Sequence, residues 1–201
     1  MKLPALTLAA LFCAGSANAA VTIYTSREDF DAVTTTHGVD DFNDVPVQQH
    51  GVSMPRMAGI FSYTVSVPGS TTLWSGADGS DAFMASNGAA DMITLSNFTP
   101  GALAVGGYFF GSNSSGNSVA TQTIWFTVVD AEGTQYHVQP QATKSTFIGF
   151  VSDLGIVSVT FHSGSAEVWG SADNVVVAVP EAGSLALAGL GFLGLISRRR
   201  R

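Results

Sequence analysis

Between residues 20 and 179 the sequence consists of short apolar, β-branched or aromatic runs separated by polar turns. Such runs predict β-strands, because side chains that alternate at a period of two suit a half-buried strand. Ser26, followed three residues later by Asp29, predicts one capped helix over residues 26–33. The pattern predicts an antiparallel sandwich or barrel. The clearest predicted strands read VTIYT, GIFSYTVSV, DAFMA, DMITLSNF, ALAVGGYFF, TIWFTVVD, TQYHVQ, TFIGFVS, IVSVTFH and DNVVVAV.

The N-terminal residues are built as a secretory signal peptide. Lys2 precedes an apolar stretch from about residue 3 to residue 14, and Ala17 and Ala19 form a small-x-small cleavage motif before Ala20. We therefore predict a signal peptide over residues 1–19 and export through the Sec translocon. A short N-terminal membrane anchor is the alternative.

Cys13 is the single cysteine and lies within this predicted signal peptide. Phe12 is too bulky for the position before a lipoprotein cysteine, which argues against lipid attachment. The chain beyond the predicted cleavage site has no thiol, so disulfides, thiolate metal sites and a cysteine nucleophile are excluded there.

Charge is distributed unevenly along the chain. All 15 Asp and Glu residues lie between Glu28 and Glu181, and only Arg27, Arg56 and Lys144 oppose them there. This part carries a net charge of −12 at neutral pH, which a phosphate backbone would repel, so we predict no nucleic-acid partner. The same charge suits solubility outside the cell or attraction of divalent cations.

The last 20 residues combine an apolar run with four arginines. From Ala182 to Ile196 no side chain is charged, and as a helix this run would reach about 22 Å, short of the roughly 30 Å hydrocarbon core. Ser197 and snorkelling arginines lengthen the predicted transmembrane segment, residues 182–197. The tail predicts a transient anchor across a membrane with the acidic part of the chain outside.

The four terminal arginines set the direction of this anchor. Positive charges favour the cytoplasmic side, so the cluster is predicted to stop transfer of the chain end through the membrane. The predicted membrane-stop residues are Arg198, Arg199, Arg200 and Arg201.

Pro180 and Glu181, the apolar segment and the terminal arginines resemble the tripartite tail of PEP-CTERM proteins. The resemblance implies sorting and cleavage near Pro-Glu-Pro by an exosortase, a membrane-embedded cysteine protease. It also implies a Gram-negative bacterium that makes exopolysaccharide, and a destination at the cell surface or in the biofilm matrix. Ala182 stands where the family has its second proline. An unprocessed C-terminal anchor is the alternative; a GPI signal is disfavoured because a polar spacer is missing.

The region before the tail is similar to extracellular domains that often precede such tails. The similarity rests on an aromatic-acidic opening, VDDFND, and on a closing series that runs from GFVS through SVTF to DNV. It implies an all-β fold, a single antiparallel, jelly-roll-like β-sandwich with one short N-terminal helix. We predict a signal peptide at 1–19, this extracellular domain at 20–178 and the sorting tail at 179–201.

Three acidic residues are candidate calcium ligands. Calcium prefers six to eight hard oxygen ligands, and a jelly roll often places its first and last strands side by side. That placement would gather Asp41 or Asp44 with Asp173. The alternative is that these aspartates form turns and solvated strand ends.

Two tryptophans are candidate glycan ligands. Trp74 and Trp169 lie beside turns rich in Gly, Ser and Asp, where an exposed ring can stack on a sugar. Core packing is the alternative for both. Trp125, within TIWFTVV, is predicted to lie in the core.

Catalytic motifs are missing from the sequence: the four histidines are far apart, and no Gly-x-Ser-x-Gly elbow, P-loop or dinucleotide fingerprint occurs. We therefore predict a protein that is not an enzyme. The leading hypothesis is an exosortase-processed surface or matrix protein, anchored transiently in the inner membrane, with a structural or adhesive role, associated with exopolysaccharide. The alternatives are a calcium-dependent carbohydrate-binding module and an enzyme acting on polysaccharide.

Overall fold

The computed structural model describes residues 21–180 except 70, 100 and 121. The predicted signal peptide with Ala17 and Ala19 lies outside the described residues, as do Glu181, Ala182 and the predicted membrane segment. The predicted membrane-stop residues also lie outside them: Arg198, Arg199, Arg200 and Arg201. Among the helices that the structure describes, none has the length and apolarity to cross a membrane.

The described chain is almost entirely β, as the sequence predicts. Its one helix is short and follows the first strand. The elements are β1 (Thr22–Tyr24), α1 (Arg27–Ala32), β2 (Thr34–Asp40), β3 (Ser53–Ala58), β4 (Phe61–Ser66), β5 (Leu73–Asp78), β6 (Asp81–Ser86), β7 (Ile93–Ser96), β8 (Ala104–Ser112), β9 (Ser118–Val119), β10 (Gln122–Asp130), β11 (Thr134–Ala142), β12 (Phe147–Val151), β13 (Ile156–His162) and β14 (Trp169–Pro180).

The strands form two sheets, and the strand pairs are antiparallel. Sheet A has the order β1-β12-β8-β14-β6-β5, with β2 added to β14 and β9 added to β8. Sheet B has the order β11-β10-β13-β7-β4-β3. Between them, Phe109 of sheet A packs edge-on against Phe126 and Phe161 of sheet B, with ring centroids 5.1 and 4.8 Å apart. The prediction of an antiparallel β-sandwich is confirmed.

Helix α1 covers part of the outer face of sheet A. The predicted cap is present: the backbone N–H of Asp29 donates to the Ser26 hydroxyl at 3.3 Å. The helix places Phe30, which is fully buried, edge-on against Phe147 with ring centroids 5.4 Å apart. Gly149 makes this contact possible, because a Cβ there would lie 2.3 Å from the Phe30 ring.

The outer face of sheet B is lined mainly by side chains with hydroxyl groups, whereas helix α1 packs on part of sheet A. Two neighbouring rows of paired residues cross its six strands, and neither row contains a charged side chain. We call these two rows the hydroxyl face. Its rows are Tyr136, Thr127, Thr160, Thr94, Ser66, Ser53 and Thr134, Val129, Ser158, Ser96, Thr64, Pro55.

Candidate functional site

Four neighbouring strands of sheet A bring Trp74 and Trp169 onto the same outer face. On β5, Leu73 points into the core and is fully buried, so the next side chain, Trp74, points outward and is 38% exposed. Trp74 pairs with Ala85 of β6, and Trp169 at the start of β14 pairs with Ser112 of β8. The two candidate glycan residues, 95 positions apart in sequence, therefore flank one surface.

A cleft of about 200 Å³ lies between these tryptophans, and we call it the aromatic cleft. Its lining combines aromatic, small and amide side chains and contains no charged residue. The lining residues are Trp74, Gly76, Phe83, Ala85, Ser86, Asn87, Ser112, Asn113, Ser114, Gly116 and Trp169.

The bottom of the aromatic cleft is a small hydrophobic cluster. Phe83 and Phe110 meet edge-on, with ring centroids 5.3 Å apart, and Trp169 packs against them. The indole N–H of Trp169 donates to the backbone carbonyl of Asn87 at 3.1 Å, which fixes the orientation of the ring. Trp169 is therefore held in place while Trp74 stands at the rim.

A turn between β8 and β9 forms one wall of the aromatic cleft. The Asn113 carboxamide oxygen accepts hydrogen bonds from the backbone N–H groups of Ser115 and Asn117, both at 3.0 Å. The backbone N–H of Asn113 in turn donates to the backbone carbonyl of Asn117, also at 3.0 Å. The sequence GSNSSGNS, which reads as a featureless polar loop, thus builds a defined turn beside the tryptophans.

The third tryptophan lies on the opposite side of the sandwich. Trp125 is 46% exposed, next to the hydroxyl face and two positions before Thr127 on β10. The prediction that it lies in the core is wrong. The run TIWFTVV reads as continuously apolar, but its side chains alternate, so Ile124 and Phe126 point inward while Trp125 points to solvent.

The structure separates the three predicted calcium ligands. Asp44 binds Arg56 through two contacts, at 2.5 and 3.1 Å. Hydrogen bonding to Arg56 lowers the pKa of the Asp44 carboxyl below its usual value, despite the small opposing effect of burial. Asp41 accepts a hydrogen bond from the backbone N–H of Asn43 in a local turn. In this arrangement Asp44 serves the fold by neutralising Arg56.

Sequence reasoning missed the more deeply placed neighbour, Asp40. Its carboxylate accepts two hydrogen bonds from the Arg56 guanidinium, at 2.6 and 2.9 Å, and one from the Tyr63 hydroxyl at 2.6 Å. Burial, followed by the charge of Asp40, raises the pKa of the Tyr63 hydroxyl well above its usual value. Asp40 is 3% exposed, so this group is a buried ion pair that fixes the start of the DDFND segment.

Asp173 lies in a second, shallow depression on sheet A, beside Tyr108, Asn174, Asp81 and Lys144. Burial raises the pKa of the Asp173 carboxyl to about 6, and the nearby charge of Asp81 adds to the shift. The charge of Asp41 acts in the same direction, while hydrogen bonds from Asn174 oppose it. The first long strand, β2, does pair with the last strand, β14, and this pairing brings Asp41 into the electrostatic range of Asp173.

Within the part of the chain that the structure describes, no group of three or more His, Cys, Asp or Glu residues is placed to hold a metal ion. Calcium binding by Asp41, Asp44 and Asp173 stays a prediction. The pairing of β2 with β14 brings Asp41 near Asp173. Asp44 instead forms a salt bridge with Arg56.

The last strand leads directly into the predicted sorting tail. Residues 178–201 match the family description "PEP-CTERM protein-sorting motif". The chain carries a PEP-CTERM sorting signal. It is therefore an exported protein whose C-terminal tail directs membrane passage and sorting by an exosortase.

The matched residues include the predicted sorting motif, Pro180, Glu181 and Ala182, so the alanine in place of the second proline does not prevent the match. They also include the four predicted membrane-stop residues, Arg198, Arg199, Arg200 and Arg201. The match covers the tail and leaves the sandwich unassigned, and no curated protein resembles the chain at a significant level.

Proposed function

We propose that this PEP-CTERM protein is a non-enzymatic, adhesive component of the cell surface or extracellular matrix. It attaches there to a neutral exopolysaccharide through the aromatic cleft. The observation that carries the proposal is that Trp74 and Trp169 line a single uncharged cleft. The sequence alone makes both residues candidates. Their closeness in space comes from the strand order of sheet A, which the sequence does not reveal.

The chemistry of the lining favours a sugar. The indole rings of Trp74 and Trp169 offer apolar surface for the C–H faces of a pyranose. The carboxamide of Asn87 supplies a donor and an acceptor for sugar hydroxyls. The side-chain NH₂ of Asn113 supplies donors, since its carboxamide oxygen already accepts two hydrogen bonds in the turn. Ligand sites typically combine an apolar lining with a few such polar groups.

The charge of the sandwich and the volume of the aromatic cleft limit which ligands are suitable. The sandwich is strongly acidic, so an anionic polymer would be repelled, whereas a neutral one would not. At about 200 Å³ the cleft is smaller than the roughly 300–1,000 Å³ of a typical small-molecule site. This size supports the capture of one sugar unit of a chain that continues into solvent.

A non-enzymatic role is supported by the composition of the same lining. General acid–base catalysis needs a titratable side chain within hydrogen-bonding reach of the scissile bond. The lining of the aromatic cleft holds only amide, hydroxyl, aromatic and aliphatic groups. Purified protein should release no reducing sugar from the polysaccharide. Release that Asp173→Asn abolishes would establish the enzyme alternative instead.

Affinity electrophoresis through gels that contain the exopolysaccharide of the producing cells tests the proposal. The wild-type protein should be retarded in proportion to polymer concentration, and Trp74→Ala and Trp169→Ala should each reduce the retardation. Trp125→Ala is the matched control, because it removes an exposed tryptophan from the other sheet. Retardation that survives both cleft substitutions would refute the proposed site.

Calcium dependence is a separate prediction with its own experiment. If Asp41 and Asp173 share a calcium ion, removal of the ion by a chelator should lower the melting temperature, and added calcium should restore it. Asp173→Asn should abolish the difference. If chelation leaves the melting curve unchanged, the calcium prediction is wrong, and the proposal for the aromatic cleft is unaffected.

A further inference from the structure

Strand β14 connects the aromatic cleft to the sorting tail. Trp169, its first residue, lines the cleft, and Pro180, its last residue, lies at the opposite end of sheet A. Eleven steps of about 3.3 Å set an upper limit of roughly 36 Å between these ends, and the register shifts between Asp173 and Val176 and between Val177 and Val179 shorten it. One continuous strand therefore fixes the distance between the candidate binding site and the tail.

The strand is held in the sheet up to the start of the tail. Ala178 is fully buried, and its carbonyl accepts a hydrogen bond from the Leu103 N–H at 3.1 Å. Pro180 is still in register with Thr34 of β2. The predicted membrane segment begins at residue 182, two positions later, and two residues of chain reach only about 7 Å. In the sequence, Glu181 alone separates the last residue of β14 from the predicted membrane segment.

The N-terminal end of the described chain leaves the sandwich at the same end. Thr22 pairs with Val151, Val151 with Ala104, and Ala104 with Ala178. Three strand spacings of about 4.8 Å separate Thr22 from Ala178 in this row. Both connections to predicted membrane-directed segments therefore lie on one end of sheet A.

Exposed aliphatic side chains project from the turns at this end. Ile60, in the turn between β3 and β4, is 74% exposed; its neighbour Gly59 lies against Gly38, the partner of Val177 on β14. Leu154, between β12 and β13, is 45% exposed; the start of its turn bonds through Leu103 to the carbonyl of Ala178. The basic side chains of the described chain lie elsewhere: Arg27, Arg56 and Lys144 contact Asp31, Asp40 and Asp78 respectively. We call this surface, defined by Ile60, Leu154 and Pro180, the tail end of the sandwich.

We infer that the sandwich stands upright on the bilayer while its tail is inserted, with the tail end against lipid and the aromatic cleft facing outward. The partner of the tail end is the lipid surface, which Ile60 and Leu154 contact through apolar side chains. Among the described residues, Ile60, Leu154 and Pro180 have no Lys or Arg beside them in the sequence, and Asp153 is exposed next to Leu154, so attraction to anionic headgroups does not hold this surface. The cleft then lies up to roughly 36 Å from the membrane, open to polymer before the tail is cut.

Lipid-embedded quenchers test this orientation in the full-length chain. Cys13→Ser leaves no thiol, so Ile60→Cys, Leu154→Cys and Ala166→Cys can each carry one fluorophore. Ala166 is the matched control, because it is exposed in the loop just before Trp169, at the cleft end of β14. The proteins are reconstituted in phosphatidylcholine vesicles that contain a lipid with a nitroxide quencher near the headgroup.

We expect quenching at positions 60 and 154 to be several-fold stronger than at position 166, and high salt to leave it unchanged. Equal quenching at the three positions, stronger quenching at 166, or no quenching at 60 and 154 would overturn the inference. Two positions at the tail end are labelled so that the experiment still gives a result if one of the two variants misfolds. Saccharide binding by the same proteins is measured in parallel. If none of them binds the saccharide while quenching follows the expected order, the binding role of the aromatic cleft is refuted and the orientation stands.

Discussion

The outer faces of the two sheets differ in what lies on them. Sheet A carries the helix with Phe30, the aromatic cleft and the buried carboxyl of Asp173. Sheet B carries the hydroxyl face, whose Thr94 and Thr160 side chains bond to each other at 2.9 Å across neighbouring strands. Both faces belong to one sandwich and share its core.

The difference favours sheet A over sheet B as the place of the proposed saccharide recognition. The hydroxyl face offers side-chain hydrogen bonds at most of its positions, but its rows of paired residues do not form the concave, apolar surface that desolvates a ligand. The face of sheet A has such a surface, because two aromatic residues and a structured turn stand above its strands. Changes on sheet A should therefore have larger effects than matched changes on sheet B.

The largest difference should be in stability. Phe30→Ala removes a fully buried ring from the outer face of sheet A and should reduce the free energy of unfolding by about 3–5 kcal/mol. Trp125→Ala truncates a 46% exposed side chain and should cost about 1 kcal/mol or less. Urea denaturation of both variants measures this comparison. Equal losses would mean that the helix adds little to the sandwich.

The next largest difference should be in saccharide affinity. Tryptophans at the centre of a binding site typically contribute about 2 kcal/mol or more, so Trp169→Ala should weaken binding about 30-fold. Trp125→Ala should change the dissociation constant by less than about twofold, because the ring lies on the other sheet. Titration calorimetry with oligosaccharides cut from the exopolysaccharide gives both values, and a loss at Trp125 would move the site to sheet B.

Asp173 should produce a smaller, pH-dependent effect. Its pKa of about 6 in the folded protein lies above the usual unfolded value of about 4. The protonated Asp173 carboxyl therefore contributes its full share to the free energy of unfolding below pH 4, and this contribution is lost as the pH rises through 6. Asp173→Asn should raise the free energy of unfolding by about 1 kcal/mol at pH 7 and leave it unchanged near pH 4. The control is Asp153→Asn, which makes the same chemical change at an exposed loop position.

The smallest effect should come from the hydroxyl face itself. Thr127→Lys places a charge at the centre of the uncharged rows on sheet B. We expect the free energy of unfolding to change by no more than about 0.5 kcal/mol, because the new side chain points to solvent. Saccharide affinity should stay the same. A clear loss of affinity would show that the hydroxyl face takes part in binding.

Much of the fold was predictable because alternation of apolar residues reports directly on burial. The predicted runs correspond to strands of the sandwich, and Ser26 and Asp29 cap the helix as expected. Strands β2, β3, β5 and the two-residue β9 were missed. The first three, TTTHGVD, SMPRMA and LWSGAD, contain Gly, Pro or charged residues and show little apolar alternation. Pairing with better-defined neighbours, such as β14 beside β2, places these segments in sheets despite weak intrinsic propensity.

The candidate site was predictable in its residues but not in its geometry. Turn residues beside Trp74 and Trp169 indicated exposed rings, yet their proximity depends on the strand order β14-β6-β5, which composition does not encode. Sequence reasoning also favours Asp41 and Asp44 over Asp40, because nothing in the sequence shows where Arg56 lies. That arginine is on β3, a strand that the sequence does not predict, and it binds both Asp40 and Asp44.

Fluorine NMR of wild-type protein labelled with 5-fluorotryptophan tests the central claim most directly. The sequence contains three tryptophans, so three resonances report on the aromatic cleft and on sheet B in one sample, assigned by single Trp→Phe variants. During titration with oligosaccharides of the exopolysaccharide, the resonances of Trp74 and Trp169 should shift together while that of Trp125 stays in place. A shift confined to Trp125, or no shift at saturating ligand, would contradict the account.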